Sequence, residues 1–177
     1  MDLQTHKTAS GVDFYTINPK GNVPTLVLDD GTVLNEGAAT LQWIADQKPG
    51  TIAPVAGTTA RYVNIAALNY VASEAHPGIG GLFNPTLTPD AKAHVTAGAN
   101  KKLEYLNKQF QTQQFLGGSA TPTIADFYLY IVLSWTGYVG LDLASYPAVK
   151  AYFEKIKALP VVQAAHALIA TKPATTH

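Results

Sequence analysis

The chain has 177 residues, enough for one sizeable core or two small domains, and its 47% hydrophobic and 14% charged residues exclude an intrinsically disordered chain. Its 12 basic residues balance 12 acidic ones, so charge gives no support to a nucleic-acid or membrane-surface protein. The chain contains no cysteine, which excludes disulfides, thiolate metal sites and cysteine nucleophiles.

The first half of the chain has the pattern of a mixed α/β structure. Phe14 to Ile17 is a candidate for a short extended segment before a turn at Asn18 to Gly21. Two short apolar runs then flank Asp30-Gly31, a pair typical of a β-hairpin. A helix is predicted from about Glu36 to Gln47, with Asn35 as its N-cap.

The second half is predicted to be all helix after a linker rich in proline and glycine. One helix runs from about Ala60 to Ala75 behind a threonine cap, and Pro77 with its neighbouring glycines is expected to break or bend the chain. Further helices are predicted to begin at or near Pro89, Pro147 and Pro160. Residues 171–177 are expected to form a frayed tail.

One helix of the second half is apolar nearly all round, which is typical of the centre of a helical bundle. It begins after Thr123 with Asp126 at its third position, a capping box that we assign to folding and not to catalysis. The longest apolar stretch, Phe127 to Trp135, is too short to span a bilayer. No secretory signal is visible at the start of the sequence either, so we expect a cytoplasmic protein.

Two motifs of the first half have the chemistry of a peptide-binding site. The bond between Val23 and Pro24, at the entrance to a strand, is a candidate cis peptide; an ordinary trans proline is the alternative. The helix start at Glu36-Gly37 offers free backbone N–H groups to a ligand carboxylate, and a side-chain carboxylate to a ligand ammonium. The pair would bind an α-amino acid, and plain helix capping is the alternative.

The polar residues of the second half give weaker signals. Asn69 and His76 are seven residues apart, which places them on one face of a continuous helix, although surface or capping roles are the alternative. The other histidines have no carboxylate partners at metal-ligand spacing, so we predict no metal site. No glycine-rich phosphate or dinucleotide motif occurs.

Taken in order, these motifs resemble those of a bacterial beta-class glutathione transferase over essentially the whole chain. The segments that carry the resemblance are Asn18-Pro19-Lys20-Gly21-Asn22-Val23-Pro24-Thr25-Leu26, Leu28-Asp29-Asp30-Gly31, Leu34-Asn35-Glu36-Gly37, Leu68-Asn69-Tyr70, Glu74, His76, Lys101 to Tyr105, Thr123-Ile124-Ala125-Asp126 and Trp135. The resemblance implies a truncated thioredoxin-like domain, a hairpin plus a helix, in residues 1–48, a linker in 49–58 and an all-helical domain in 59–177. It also implies a homodimer.

The resemblance further implies which residues bind glutathione. Val23, before a cis proline, would pair its backbone with the cysteinyl part, and Glu36 with the Gly37 amide would hold the γ-glutamyl end. Asn69 would line the site or reach the glutathione of the neighbouring subunit. The full set implied by the resemblance is Asn22, Val23, Pro24, Glu36, Gly37, Asn69 and His76, with His6 and Lys7 near the glycyl carboxylate.

The sequence also departs from the family pattern at its start. The first strand, the first helix and most of the second strand of the family's domain have no counterpart, and that part carries the Tyr, Ser or Cys that meets the glutathione sulfur. The catalytic residue is therefore unknown, and we expect weak activity from this polypeptide. The first strand is also central in the family's sheet, so the hairpin would have an unpaired edge. Either the domain is a remnant hairpin and helix packed on the helical bundle, or residues 1–17 rearrange, or a second copy covers the edge.

The implied reaction is conjugation of the glutathione thiol to an apolar electrophile, in detoxification, with glutathione as co-substrate and no other cofactor. The electrophile would contact variable helical side chains such as Phe83, Trp135 and Tyr138. A non-catalytic module with the same fold is the alternative, and a glutathione-dependent isomerase or dehalogenase would differ only in the electrophile. Redox chemistry that uses a protein thiol is excluded because the chain has no cysteine.

Overall fold

The computed structural model describes residues 1–2 and 4–171. Its N-terminal part contains a two-stranded antiparallel sheet, β1 (Leu26–Val27) and β2 (Val33–Leu34). Leu26 pairs with Leu34 and Val27 with Val33, and Gly31 turns the chain with a φ of +85° that favours glycine. The hairpin predicted around Asp-Gly is therefore confirmed.

The segment before the hairpin differs from the prediction. Phe14–Thr16 forms a single 3₁₀ turn and not an extended strand. The Asp13 carboxylate accepts a hydrogen bond of 3.0 Å from the Tyr15 backbone N–H, while the Phe14 side chain is buried. A short acidic side chain that caps its own backbone here outweighs the strand preference of the aromatic residues.

Helix α1 spans Gly37–Asp46, close to its predicted limits. The proposed cap is wrong, because Glu36 and not Asn35 stands at the N-cap position and no described side chain caps the helix. The Asn35 amide instead donates a hydrogen bond of 3.1 Å to the Asn18 side chain. The first N–H groups of α1 are therefore left without a side-chain partner, which matters for the site described below.

The rest of the described chain is a helical bundle. Thr58 and Thr88 cap the second and fourth helices by accepting bonds from Arg61 N–H and Ala91 N–H, as their sequence positions predict. Thr171 belongs to the last helix and is not frayed, and residues 172–177 of the expected tail lie outside the described residues. The helices are α2 (Thr59–Tyr70), α3 (His76–Gly80), α4 (Pro89–Gln109), α5 (Ile124–Ser134), α6 (Thr136–Val139), α7 (Pro147–Lys157) and α8 (Pro160–Thr171).

Helices α2 and α3 are joined by a π-helical turn, Val71–Ala75. The His76 N–H bonds to the Val71 carbonyl five residues earlier, so one wide turn directly precedes Pro77. The chain therefore stays helical through Pro77, so the predicted break does not occur there, and the alternative of a bend stays a prediction. The wide turn also alters the angular spacing of side chains, which invalidates face assignments made for a continuous α-helix.

Helix α5 lies at the centre of the bundle, as its composition predicts. Leu129, Val132 and Leu133 have no exposed surface, and they pack in a single hydrophobic cluster with residues of α2, α4 and α7. Helix α5 is not buried on every side as its apolar composition suggests, because Ile131 remains 44% exposed at the wall of a pocket. Within residues 1–2 and 4–171, no helix combines the length and the apolar character needed to cross a membrane.

The capping box of α5 is confirmed and extends further than the sequence indicated. The fully buried Asp126 carboxylate accepts bonds of 2.8 Å from the N–H and the hydroxyl of Thr123. Its other oxygen accepts from the Leu116 N–H at 2.8 Å and from the Tyr152 hydroxyl at 2.9 Å. Burial raises the pKa of Asp126, and these four bonds oppose that change.

An ion pair joins α1 to the helical bundle. The guanidinium of Arg61, a buried residue of α2, forms two parallel bonds of 2.8 and 3.0 Å with the Asp46 carboxylate. It also donates a bond of 3.0 Å to the Pro54 carbonyl. The segment that the sequence predicts to be a linker is therefore held at Pro54, and its position relative to α1 and α2 is fixed.

Candidate functional site

A pocket of about 670 Å³ lies between the hairpin entrance, the start of α1, the α3 helix and α5. It brings together six of the residues that the resemblance assigns to glutathione, whereas Asn69, His6 and Lys7 do not line it. The predicted site residues on its wall are Asn22, Val23, Pro24, Glu36, Gly37 and His76. The two motifs of the first half thus face one cleft.

The polar end of the pocket is formed by the Val23-Pro24 peptide and the first residues of α1. The peptide bond is cis, which confirms the candidate named from the sequence. A side chain at Gly37 would lie 3.7 Å from the Pro24 ring, so the loop and the helix start are in close contact. The uncapped N–H groups of α1 open at the same end and suit an anionic group.

Sequence reasoning missed Lys20, which lies next to Glu36. Its ammonium forms an ion pair with the Glu36 carboxylate and also lies 3.3 Å from the Asn35 side-chain oxygen. The two paired side chains are 50% and 65% exposed, and ion pairs of this kind contribute little to stability. A ligand ammonium can therefore replace Lys20 at Glu36 at little cost. The basic residue in the turn before the hairpin is the feature of the sequence that could have indicated this ion pair.

The middle of the pocket holds a histidine–tyrosine pair. His76 Nδ1 lies 2.6 Å from the Tyr128 hydroxyl, and the His76 ring packs edge-on against Trp135 at a centroid distance of 4.8 Å. Burial lowers the pKa of His76, while burial together with the negative charge of Glu36 raises the pKa of Tyr128. Both groups are therefore uncharged at neutral pH. Tyr128 was not singled out from the sequence.

The stability of the protein is expected to fall on acidification partly because of His76. Its pKa is lowered in the folded state, so the unfolded chain takes up the proton first, below the ordinary value of about 6.5. Between about pH 7.5 and about pH 5, urea unfolding should show a smaller loss of stability in His76→Gln than in the wild type. Equal losses in His76→Gln and in the wild type would contradict the assignment.

The far end of the pocket is apolar. Leu41 and Ile44 of α1 face Phe127 and Ile131 of α5 across it, and Trp135 closes the same side. Two other aromatic residues named from the sequence lie outside the wall. Phe83 contacts Trp135 edge-on at 5.9 Å, and Tyr138 is 84% exposed and does not line the pocket.

The remaining predicted residues lie away from the pocket. Asn69 is exposed on α2 and does not line the pocket. His6 packs against Tyr15 at a centroid distance of 4.8 Å, and Lys7 forms an isolated bridge with Asp13. In the part of the chain that the structure describes, no group of three or more histidines and carboxylates could hold a metal ion.

Known proteins match the chain along most of its length. The family model of the glutathione S-transferase N-terminal domain matches residues 4–47, and that of the C-terminal domain matches residues 89–155. Glutathione S-transferase GstA of Escherichia coli O157:H7 is 40% identical over 165 residues, which cover 92% of this chain and 81% of that protein. The chain belongs to the glutathione S-transferase family.

Solved structures of glutathione S-transferases agree with this assignment. The sphingomonad enzyme complexed with glutathione is 41% identical with a TM-score of 0.88, and the match covers 93% of this chain and 82% of that one. The beta-class enzyme of Sphingomonas chungbukensis is 39% identical with a TM-score of 0.86 at the same coverage. The predicted family and fold, a thioredoxin-like part followed by a helical domain, are therefore confirmed.

Proposed function

We propose that this glutathione S-transferase conjugates the thiol of glutathione to small apolar electrophiles, in detoxification. The observation that carries the proposal is that one and the same pocket has a polar end, built from Val23, Pro24 and Glu36, and an apolar end. A peptide thiol bound at the first end would lie beside an apolar co-substrate bound at the second. Proximity of this kind is a main source of rate in a two-substrate reaction.

The γ-glutamyl end of glutathione binds at the start of α1. Its carboxylate accepts bonds from the uncapped N–H groups, that of Gly37 among them, and its ammonium replaces Lys20 at Glu36. The cysteinyl part pairs with the backbone of Val23, and Asn22 lies beside the peptide. His76 lies between this tripeptide and the apolar end. We assign no residue to the glutathione sulfur.

The apolar end takes the electrophile. Its wall is built from aliphatic and aromatic side chains of α1 and α5, which bind an apolar ring or chain by burial. No cofactor other than glutathione is required. A glutathione-dependent isomerase or dehalogenase would bind glutathione at the same polar end and would differ only in the electrophile bound at the apolar end.

We further propose a cytoplasmic homodimer. Asn69 lies outside the pocket on the exposed side of α2, a position that supports contact with the glutathione of the partner subunit. Residues 1–48 form the glutathione-binding domain and residues 59–177 the helical domain, with residues 49–58 between them. The Arg61–Asp46 ion pair holds the two domains together.

Calorimetric titration with glutathione tests the site. Glu36→Gln keeps the shape of the side chain and removes the charge that holds the ligand ammonium, so binding should weaken at least about tenfold. The matched control is Glu104→Gln on the exposed surface of α4, outside the pocket, which should bind within about twofold of the wild type. Turnover of a chlorodinitroarene should fall in the first variant and not in the second.

The same titration distinguishes a glutathione transferase from a non-catalytic module with the same fold. Wild-type protein that binds no glutathione would favour a non-catalytic module with this fold. Binding without turnover would keep the glutathione site and reject the conjugation reaction. Binding that Glu36→Gln leaves unchanged would move the γ-glutamyl end away from the start of α1.

A further inference from the structure

Asn18 is a fully buried polar residue at the base of the loop that carries Asn22 to Pro24. Its amide nitrogen donates to the backbone and side-chain oxygens of Asn22, both at 2.8 Å, and to the Thr25 hydroxyl at 3.1 Å. An amide is buried at a high cost unless its hydrogen bonds are made, so this side chain holds the loop in one conformation.

The other half of the Asn18 amide bonds to the chain just before the start of α1. Its oxygen accepts a bond of 3.1 Å from the side chain of Asn35, the residue directly before Glu36, and another of 3.1 Å from the Lys20 N–H. One side chain thus bonds to Asn22 on one wall of the polar end and to the residue that precedes the other wall. Asn18 does not line the pocket itself, so any effect on a ligand passes through its neighbours.

We propose that Asn18 is a positioning residue for glutathione, one that sets the distance between the Val23 backbone and the start of α1. The inference rests on the proposed function, since glutathione would have to reach both of these groups at once. A ligand held at two ends is sensitive to small displacements of either end. Asn18 therefore contributes to affinity as well as to the fold of the loop.

Other contacts between the two walls cannot replace the Asn18 bonds. The Lys20–Glu36 ion pair is exposed, and the ligand ammonium would displace it. The Pro24 ring lies beside Gly37 at the start of α1, and an apolar ring can limit the approach of the two walls but not their separation. When glutathione is bound, the bonds of Asn18 to Asn22 and to Asn35 would therefore still connect the two sides of the polar end, among the residues that the structure describes.

The test compares two buried asparagines. Asn18→Ala removes the link between the walls, whereas Asn64→Ala removes a buried bond of 2.8 Å to Thr123 outside the pocket. Both variants should melt at lower temperature than the wild type. Well below either melting temperature, calorimetry should show glutathione binding about tenfold weaker in Asn18→Ala and within about twofold of the wild type in Asn64→Ala.

A second ligand separates positioning from general loosening. The amphipathic dye anilinonaphthalene sulfonate binds apolar surfaces through its aromatic rings and so probes the far end of the pocket. Its affinity should be the same in Asn18→Ala and in the wild type. Loss of dye and glutathione affinity together, or equal glutathione affinities in both asparagine variants, would overturn the proposal.

Hydrogen exchange provides a readout that does not depend on glutathione. In Asn18→Ala, the amides of Lys20 and Gly21, which donate to the side chain and the carbonyl of Asn18, should exchange faster, whereas Asn64→Ala should leave them unchanged. If the wild type bound no glutathione, the proposed function would fail. The exchange rates would still decide whether Asn18 fixes the loop, and unchanged rates in Asn18→Ala would reject that role.

Discussion

Replacing Asp126 with alanine is expected to lower the free energy of unfolding by about 4 kcal/mol, because each buried donor left without an acceptor costs about 1–3 kcal/mol and such costs are not fully additive. The carboxylate accepts four bonds, from the backbone of Leu116, the backbone and hydroxyl of Thr123, and the hydroxyl of Tyr152. These bonds join the start of α5 to the preceding loop and to α7. Urea unfolding followed by circular dichroism measures the loss.

Two companion variants separate the buried network from ordinary capping. Asp126→Asn retains one oxygen but turns an NH₂ group toward two donors, so it should lose about 2 kcal/mol. Asp142→Ala removes an exposed cap, which accepts one bond of 2.8 Å from the Ala144 N–H, and should lose no more than about 1 kcal/mol. An Asp126→Ala protein as stable as Asp142→Ala would show that the network contributes only a cap.

Asp46→Ala should lower the free energy of unfolding by about 2–3 kcal/mol, since it leaves the buried Arg61 guanidinium without its charged partner. The value lies below that of a fully buried pair because the Asp46 side chain is 44% exposed. The Pro54 carbonyl retains its bond to Arg61, so one contact with the interdomain segment persists. Thermal and urea unfolding both measure the effect.

The double variant Asp46→Ala with Arg61→Met removes the buried charge as well. It should be more stable than Asp46→Ala alone, because an apolar side chain of similar length can fill the space of an unpaired cation. Glu154→Ala breaks the exposed pair with Lys157, whose charged atoms lie 3.8 Å apart, and should cost no more than about 0.5 kcal/mol. Equal losses in Asp46→Ala and Glu154→Ala would rule out an energetic role for the link between the domains.

Local signals in the sequence account for much of the fold. The Asp-Gly pair predicted the hairpin, Thr88 followed by Pro89 predicted the start of α4, and Thr123 with Asp126 predicted the start of α5. Each depends on residues within a few positions of one another, where backbone geometry alone fixes the partners. The cis bond at Pro24 was a candidate from the sequence alone and was implied by the family resemblance.

Features that depend on distant contacts could not be predicted. Asn35 suits an N-cap by its type, yet its partner is Asn18, 17 residues earlier. The His76–Tyr128 contact spans 52 residues, and no spacing rule brings these two side chains together. The π-helical turn before Pro77 has no sequence signature of its own, so the sequence could not indicate that the stretch between Asn69 and His76 departs from a continuous α-helix.

Helix α5 serves both the hydrophobic core and the pocket. Along its 11 residues, Leu129 and Leu133 belong to the core, whereas Phe127, Tyr128 and Ile131 line the pocket. The core residues and the pocket residues alternate along one helix, so the pocket residues can be substituted while the core residues stay unchanged. New substrate preferences can therefore arise on this helix through point changes that leave its folding determinants untouched.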